Sequence, residues 1–195
     1  MRMMAPRGMR AVVACLAFGF AGSQAVAGGS WTVGQLQRLL QSSDKPVVTF
    51  QEVRESPWLS TPAMSRGTLR TIPGGLEKRV DSPRSETWRL LADRLEWVGA
   101  GGSESRQILF TQVPAVAPLS DLMRQVVTGD LASLQRDFQI ELSGDERVWS
   151  AQLRPRGAQV SRYLDNAQLQ GTQGQLQVII VTLKNGERTT TRIAP

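Results

Sequence analysis

Few side chains in this protein can move a proton or attack a bond. The chain has no histidine and one cysteine, Cys15. A histidine-dependent triad is excluded, and so is a metal site built on Cys and His ligands. Carboxylates, hydroxyls, Tyr163, lysines and arginines are left. Asp81, Glu86 and Asp93 show no spacing that marks a paired-acid site. No nucleophile stands beside a base that could activate it. The expectation is a protein that is not an enzyme and needs no metal or cofactor, so its function must rest on binding.

The residues that could bind are apolar. The segment VTFQEVRESPWLSTPAMSRGTLR, residues 48–70, interrupts a strand-like pattern with Pro57 and Pro62 and places Trp58, Leu59 and Met64 in the break. Such a loop either packs on its own core or borders a cavity for something greasy. Glu52, Arg54 and Arg70 are charges set among these apolar positions. They read as solvated strand faces or as a rim that meets a lipid headgroup or a partner.

The N-terminus bounds where the protein works. Arg2, Arg7 and Arg10 precede an apolar run over residues 11–20, and small residues follow up to Ala25-Val26-Ala27. This is the pattern of a secretory signal peptide with an A-x-A cleavage site. The run is too short to span a bilayer. Residues 1–27 are therefore expected to be removed, leaving a single domain over residues 28–195. Cys15 goes with the signal, because the apolar run continues past it where a lipid-modified cysteine would end it. Removal takes away three of the six net positive charges. The remaining mild basicity concerns solubility, and no Lys/Arg run with interleaved aromatics points to nucleic acid.

Elements must hold the apolar residues in place. SWTVGQLQRLLQ, residues 30–41, carries Val33, Leu36 and Leu40 at helical spacing, with Ser30 or Thr32 as cap. Strands are predicted over 47–54, 65–72 and 76–80. ETWRLLADRLEWV, residues 86–98, fits a hairpin of strands 86–91 and 94–98, with a continuous helix as the competitor. A strand over 106–112 follows. Residues 118–128 place Leu119, Leu122, Met123 and Val126 on one helical face, Gly129 ends that helix, and Asp130 caps a second bearing Leu131 and Leu134. Strands return over 139–142, 147–153, 163–169, 175–183 and 187–193, with Asn185-Gly186 as the hairpin signal between the last two. The fold class is α+β, an antiparallel sheet with helices on one face.

This order of elements resembles the LolA-like periplasmic outer-membrane lipoprotein carrier family. Phe50-Gln51-Glu52 stands where the family has Phe-x-Gln, Gly67-Thr68-Leu69 where it has Gly-x-Leu, and Pro73 to Leu76 where it has Pro-x-x-(Leu or Phe). The helices over 118–138 correspond to its central lid region. The resemblance runs over residues 30–193. It implies a strongly curved antiparallel sheet, an incomplete β-barrel, closed by short helices as a lid over an apolar interior for acyl chains. The family's latch arginine precedes the proline, where this chain has Ile72; Arg70 lies two residues earlier on the same strand face. The chain also ends soon after its last predicted strand. Both departures point towards the divergent LolA-related branch associated with lipid, glycolipid or polyene pathways.

On the resemblance, Phe50, Leu59, Leu69, Leu76, Trp88, Trp97, Phe110, Trp149 and Leu153 are the candidate cavity lining. Leu119, Leu122, Met123, Val126 and Leu134 are the candidate lid, and Glu52, Arg54 and Arg70 the candidate rim or latch. The expected partners are an acyl lipid or lipoprotein cargo, an inner-membrane exporter and an outer-membrane acceptor. The protein is expected to be monomeric and periplasmic. Because apolar contact is non-directional, little headgroup preference is expected. Two alternatives stand beside this. Apolar sheet faces are usually closed core, and a half-barrel without cargo could serve as an interaction or sensor module.

Overall fold

The computed structural model describes residues 31–43 and 47–194. The expected signal peptide, its cleavage site and Cys15 lie outside the described residues. Thr32 starts the first helix, α1 (Val33–Gln41), through a reciprocal cap. Its side-chain oxygen accepts from the Gln35 backbone N–H at 3.3 Å, and its own N–H donates to the Gln35 side chain at 2.8 Å. Two of the N–H groups that a helix start leaves orphaned are thereby satisfied.

Among the described residues eleven strands form one antiparallel sheet. They are β1 (Val47–Glu55), β2 (Ala63–Ile72), β3 (Gly75–Ser82), β4 (Glu86–Leu91), β5 (Arg94–Val98), β6 (Ser105–Leu109), β7 (Phe138–Gly144), β8 (Val148–Pro155), β9 (Leu164–Thr172), β10 (Gln175–Leu183) and β11 (Arg188–Ala194). The spatial order is β6-β5-β4-β3-β2-β1-β11-β10-β9-β8-β7. Two meanders are thus joined where β1 pairs with β11, with Phe50 opposite Ile193 and Glu52 opposite Thr191. The edges β6 and β7 do not pair, so the sheet is not a closed barrel.

The chain runs from the β6 edge to the β7 edge through α2 (Ala117–Val127) and α3 (Leu131–Asp137). Gly129, at φ 70°, ends α2 in the left-handed conformation that glycine adopts without cost. The Asp130 carboxylate then caps α3 by accepting from the Ser133 N–H at 3.1 Å. Leu122 and Val126 of α2 pack with Trp149, Leu153 and Leu169 of β8 and β9, and α2 also touches β3 and β4. β4 and β9 stand six strand intervals apart in the sheet order. In a flat sheet that is roughly 29 Å, far more than the ~10–12 Å width of a helix. The sheet therefore curls around α2.

The predicted elements are present, with three differences. The strand expected over 106–112 stops at Leu109, and Phe110 lies in a turn with its N–H on the Asp93 carbonyl. Phe138 opens β7 rather than continuing a helix. A four-residue helix, α4 (Ala158–Ser161), interrupts the connection between β8 and β9; it is too short to leave a periodic signal. Among the described residues no helix is long and apolar enough to cross a membrane.

Candidate functional site

Register and alternation decide which side chains face the helices. Phe50, Glu52 and Arg54 share a face of β1, and their cross-strand partners continue it through Leu69, Leu76, Lys78, Val80, Trp88, Leu90, Leu95 and Trp97. On the other side of β1 the face continues through Thr191, Ile179, Val181, Ala167, Leu169, Ala151, Leu153 and Trp149. Only glycine fits at two places on it. A Cβ on Gly67 would lie 1.8 Å from the Arg79 carbonyl oxygen, beside a register shift between β2 and β3. A Cβ on Gly171 would lie 2.3 Å from the Trp149 indole, which packs there.

This concave face has two zones. The β7–β10 zone is mostly closed core under α1, α2 and α3. A hollow of about 490 Å³ nevertheless opens at its end between Leu40, Val126, Leu176 and Ile193, and one of about 400 Å³ lies beside Leu122, Phe138 and Val160. Trp149 is 2 % exposed, and its indole N–H donates to the Gln173 carbonyl at 2.8 Å. Leu153, Leu122, Val126 and Leu134 are buried in the same cluster. The β1–β5 zone holds a smaller core of Phe50, Leu69, Leu76 and Val80 and is open beside it. A hollow of about 250 Å³ lies between its sheet face and α2. Leu69, Leu76, Trp88, Leu90 and Leu95 wall it from the sheet, and Leu119 and Met123 from α2. Helix α2 thus presents one face to core and another to the hollow.

The hollow's floor is not purely apolar. The Lys78 ammonium donates to both Glu52 oxygens, at 2.7 and 2.8 Å, and lies 4.9 Å above the Phe50 ring. The Thr191 hydroxyl donates to Glu52 at 3.0 Å. These charges are largely withdrawn from water, with Lys78 21 % and Glu52 16 % exposed. Each is tolerable there because it is paired and hydrogen-bonded. Next to them Glu86 accepts the indole N–H of Trp88 at 2.9 Å and of Trp97 at 2.8 Å. The two rings meet at 6.2 Å with a 53° tilt, within the centroid range of favourable aromatic pairs and away from a face-to-face sandwich. An adjoining hollow of about 280 Å³ opens over this polar strip, between Arg54, Arg84 and Glu86.

Of the candidate lining residues, Leu69, Leu76 and Trp88 wall the hollow, Phe50 lies beneath Lys78, and Trp97 reaches the site through Trp88 and Glu86. The structure does not bring Trp149 and Leu153 to it, since they are core, nor Phe110, which sits in its turn. Leu59 and Trp58 stand in solvent, Trp58 at 76 % exposure. Among the lid candidates, Leu119 and Met123 face the hollow. Glu52 and Arg54 face inward as part of its wall. Arg70 is on the opposite, convex face. Its guanidinium holds Glu77 at 2.6 Å, and Arg89 holds the same carboxylate at 3.0 Å. Arg89, Glu96 and Arg94 extend this ladder across β4 and β5. Burial works to raise the Glu77 carboxyl, but the hydrogen bonds and charges of Arg89 and Arg70 together outweigh it and hold it below the usual carboxylate range. Arg70 is thus committed away from the helices.

Sequence reasoning missed Lys78, Arg84, Glu86, Leu90 and Leu95. A signal for Lys78 existed, since it alternates with Leu76 and Val80, both inward. Among the described residues no group of carboxylates could hold a metal ion.

An open antiparallel sheet curled about helices that join its two free edges matches what the resemblance implies. The family model for outer membrane lipoprotein carrier protein LolA-like matches residues 22–195. The chain belongs to this family. A LolA superfamily protein from Nitrosomonas europaea is 15 % identical, with a TM-score of 0.41, over 85 % of this chain and 93 % of its own. A domain from Vibrio parahaemolyticus described as an outer membrane lipoprotein-sorting protein is 9 % identical, with a TM-score of 0.38, over 84 % of this LolA-like chain and 89 % of its own. Comparison with curated proteins finds no match.

Proposed function

We propose that this protein is a periplasmic carrier that shields the acyl chains of a lipid or lipoprotein and passes them towards the outer membrane. The observation that carries the proposal is the apolar hollow between α2 and the β1–β5 side of the concave face, walled by Leu76, Leu90, Leu95, Leu119 and Met123 in a chain of the LolA-like family. An acyl chain in water costs on the order of 0.8 kcal/mol per exposed CH₂. A hollow that removes part of that cost lets the chain cross an aqueous compartment. Release needs binding weak enough for an acceptor to win. Met123 suits this, because an unbranched thioether side chain repacks around varied shapes.

Helix α2 serves as the cover in this reading, but not as a door that swings out whole. Leu122 and Val126 anchor it in the core, and exposing each costs about 1.5–3 kcal/mol. Cargo then enters past the Leu119 and Met123 face or from the hollow beside Arg54. An inner-membrane exporter loads the protein and an outer-membrane acceptor unloads it. The protein acts as a monomer after removal of residues 1–27. Intact-mass analysis of the exported form tests the processing, with a start at Gly28 expected and a diacylated Cys15 refuting it. Mass spectrometry of lipid co-purified from the periplasm tests the function. Recovery of acyl lipid supports the carrier, and a preparation free of lipid that also fails to bind acyl probes overturns it.

One observation favours a second reading. Trp58, Leu59 and Met64 are exposed together at the β1–β2 turn, Met64 at 70 %. An interaction or sensor module would use that greasy tip and leave the hollow empty. In the carrier reading the same tip touches the lipid surface during delivery.

A further inference from the structure

We propose that the hollow over the polar strip is a headgroup subsite, and that the site as a whole takes an acyl amphiphile with an anionic head, phosphate or carboxylate. This rests on the carrier reading and narrows its cargo.

The two hollows share a wall. Glu52, Arg54, Lys78 and Trp88 border both the apolar space of about 250 Å³ and the polar space of about 280 Å³. A molecule with its tail against Leu76, Leu90, Leu119 and Met123 therefore directs its other end at the second space. The charges there are not balanced in function, although they include both signs. Glu52 is taken up by Lys78 and Thr191. Both oxygens of Glu86 are taken up by the indoles of Trp88 and Trp97. Arg54 and Arg84 line the same space and have no ion-pair partner among the described residues. Two guanidiniums remain on the lining of the polar hollow, whose own carboxylates are already engaged, and Glu187 borders the apolar hollow alone. A guanidinium presents a planar fork of donors that matches phosphate and carboxylate oxygens. A cationic head would meet Arg54 and Arg84 unfavourably, and a neutral head would leave them with water alone. The geometry thus points to headgroup selection where purely apolar walls would give none.

The test uses the full processed protein and amphiphiles of one chain length: dodecyl phosphate, dodecanoate, dodecyl maltoside and dodecyltrimethylammonium. Affinity is read by displacement of a fluorescent acyl probe below the micelle concentrations. Charge-assisted hydrogen bonds to a guanidinium are the stronger kind, so the anionic heads should bind about 10- to 100-fold tighter than the neutral or cationic ones. The double variant Arg54→Gln, Arg84→Gln should bring that ratio close to one. Arg70→Gln, on the convex face, should keep it. A stronger preference for dodecyl phosphate than for dodecanoate assigns the subsite to phosphate, and the reverse assigns it to carboxylate. Equal binding of all four by the unaltered protein overturns the subsite while sparing the carrier. So does a preference that survives in the double variant. Failure of every amphiphile to bind overturns both.

Discussion

The division of α2 between core and hollow makes a sharp prediction about two residues one helical turn apart. Leu119 and Leu122 carry the same side chain on the same helix. Leu119 is half-buried, touching the edge of the core and lining the hollow, whereas Leu122 is 1 % exposed within the core. Aspartate at 119 places a carboxylate at the boundary of a space that already borders Glu52, Lys78 and Arg54, where it can reach water or a cation. Aspartate at 122 falls in the α2, α3 and β8–β9 cluster, beside a hollow whose lining carries no basic side chain. Leu122→Asp loses the burial of a leucine, about 1.5–3 kcal/mol, and adds the cost of an unpaired buried charge. The sum is comparable to the ~5–15 kcal/mol that holds a domain together, so the variant should be largely unfolded. Leu119→Asp should fold and lose acyl contact. A loss of about 1–2 kcal/mol in binding corresponds to roughly 5- to 30-fold weaker affinity. Far-UV circular dichroism with a urea titration reads the first effect, and displacement of a fluorescent acyl probe reads the second. A folded Leu119→Asp with unchanged probe affinity would refute the assignment of that face to cargo. A folded Leu122→Asp beside an unfolded Leu119→Asp would show that the faces have been exchanged.

Within the hollow, each CH₂ added to a short acyl ligand should tighten binding by up to ~0.8 kcal/mol, about fourfold; a brominated chain should quench Trp88, and affinity indifferent to chain length counts against the site. Gly67→Ala should destabilise the fold by well over the ~1 kcal/mol typical of a point substitution, because its Cβ would sit 1.8 Å from a backbone carbonyl oxygen; an unchanged urea midpoint refutes the close approach. Thr32→Ala should cost about 1 kcal/mol through the lost cap of α1, read as a lowered Tm. Glu77 has a lowered pKa in the fold, so its contribution to stability is complete above the ordinary glutamate value of about 4.3 and disappears as pH falls through the folded value. The urea midpoints of the unaltered protein and Glu77→Gln should therefore differ at pH 7 and converge in acid, and a gap that persists in acid excludes the Arg70–Glu77–Arg89 ladder as its source. Trp58→Ser should leave stability within about 0.5 kcal/mol yet reduce binding to phosphatidylglycerol vesicles if the exposed tip meets the lipid surface; undiminished vesicle binding removes that role.

The local elements were legible because their signals are local. The Thr32 cap, the Gly129-Asp130 break and the Asn185-Gly186 turn each act within a few residues, and each is where the sequence places it. The pairing of β1 with β11 was not legible, since it joins Phe50 to Ile193 across nearly the whole domain. That pairing decides which apolar strands border the hollow. Alternation correctly turned Trp88, Trp97, Trp149 and Leu153 to one face. It could not say that the face has two zones, because closure of one depends on where α1, α2 and α3 lie. Arg70 misled for a related reason. It shares a strand face with Ile72, and only the register opposite Glu77 shows that this face is convex.

The unsealed zone follows from how one helix pair meets a sheet this wide. The edges β6 and β7 cannot pair while the segment between them carries α2 and α3 across the opening. A helix of ~10–12 Å then has to cover a concave face curled from eleven strands. Leu122 and Val126 commit α2 to the β8–β9 side, and α3 adds Leu131 and Leu134 to that cluster. The opposite flank receives Val127, packed on the Phe50, Leu69, Leu76 and Val80 cluster, and Val116, Leu119, Ser120 and Met123, facing Leu90 and Leu95 across the gap. Lys78 and Glu52 pair on the floor of that gap, at inward positions where a closed core would carry apolar side chains. Burying such a pair behind a sealed helix would require it to offset its own desolvation, which ion pairs seldom do. Leaving the flank open keeps the pair near water. The hollow and its charged floor are thus consistent with each other.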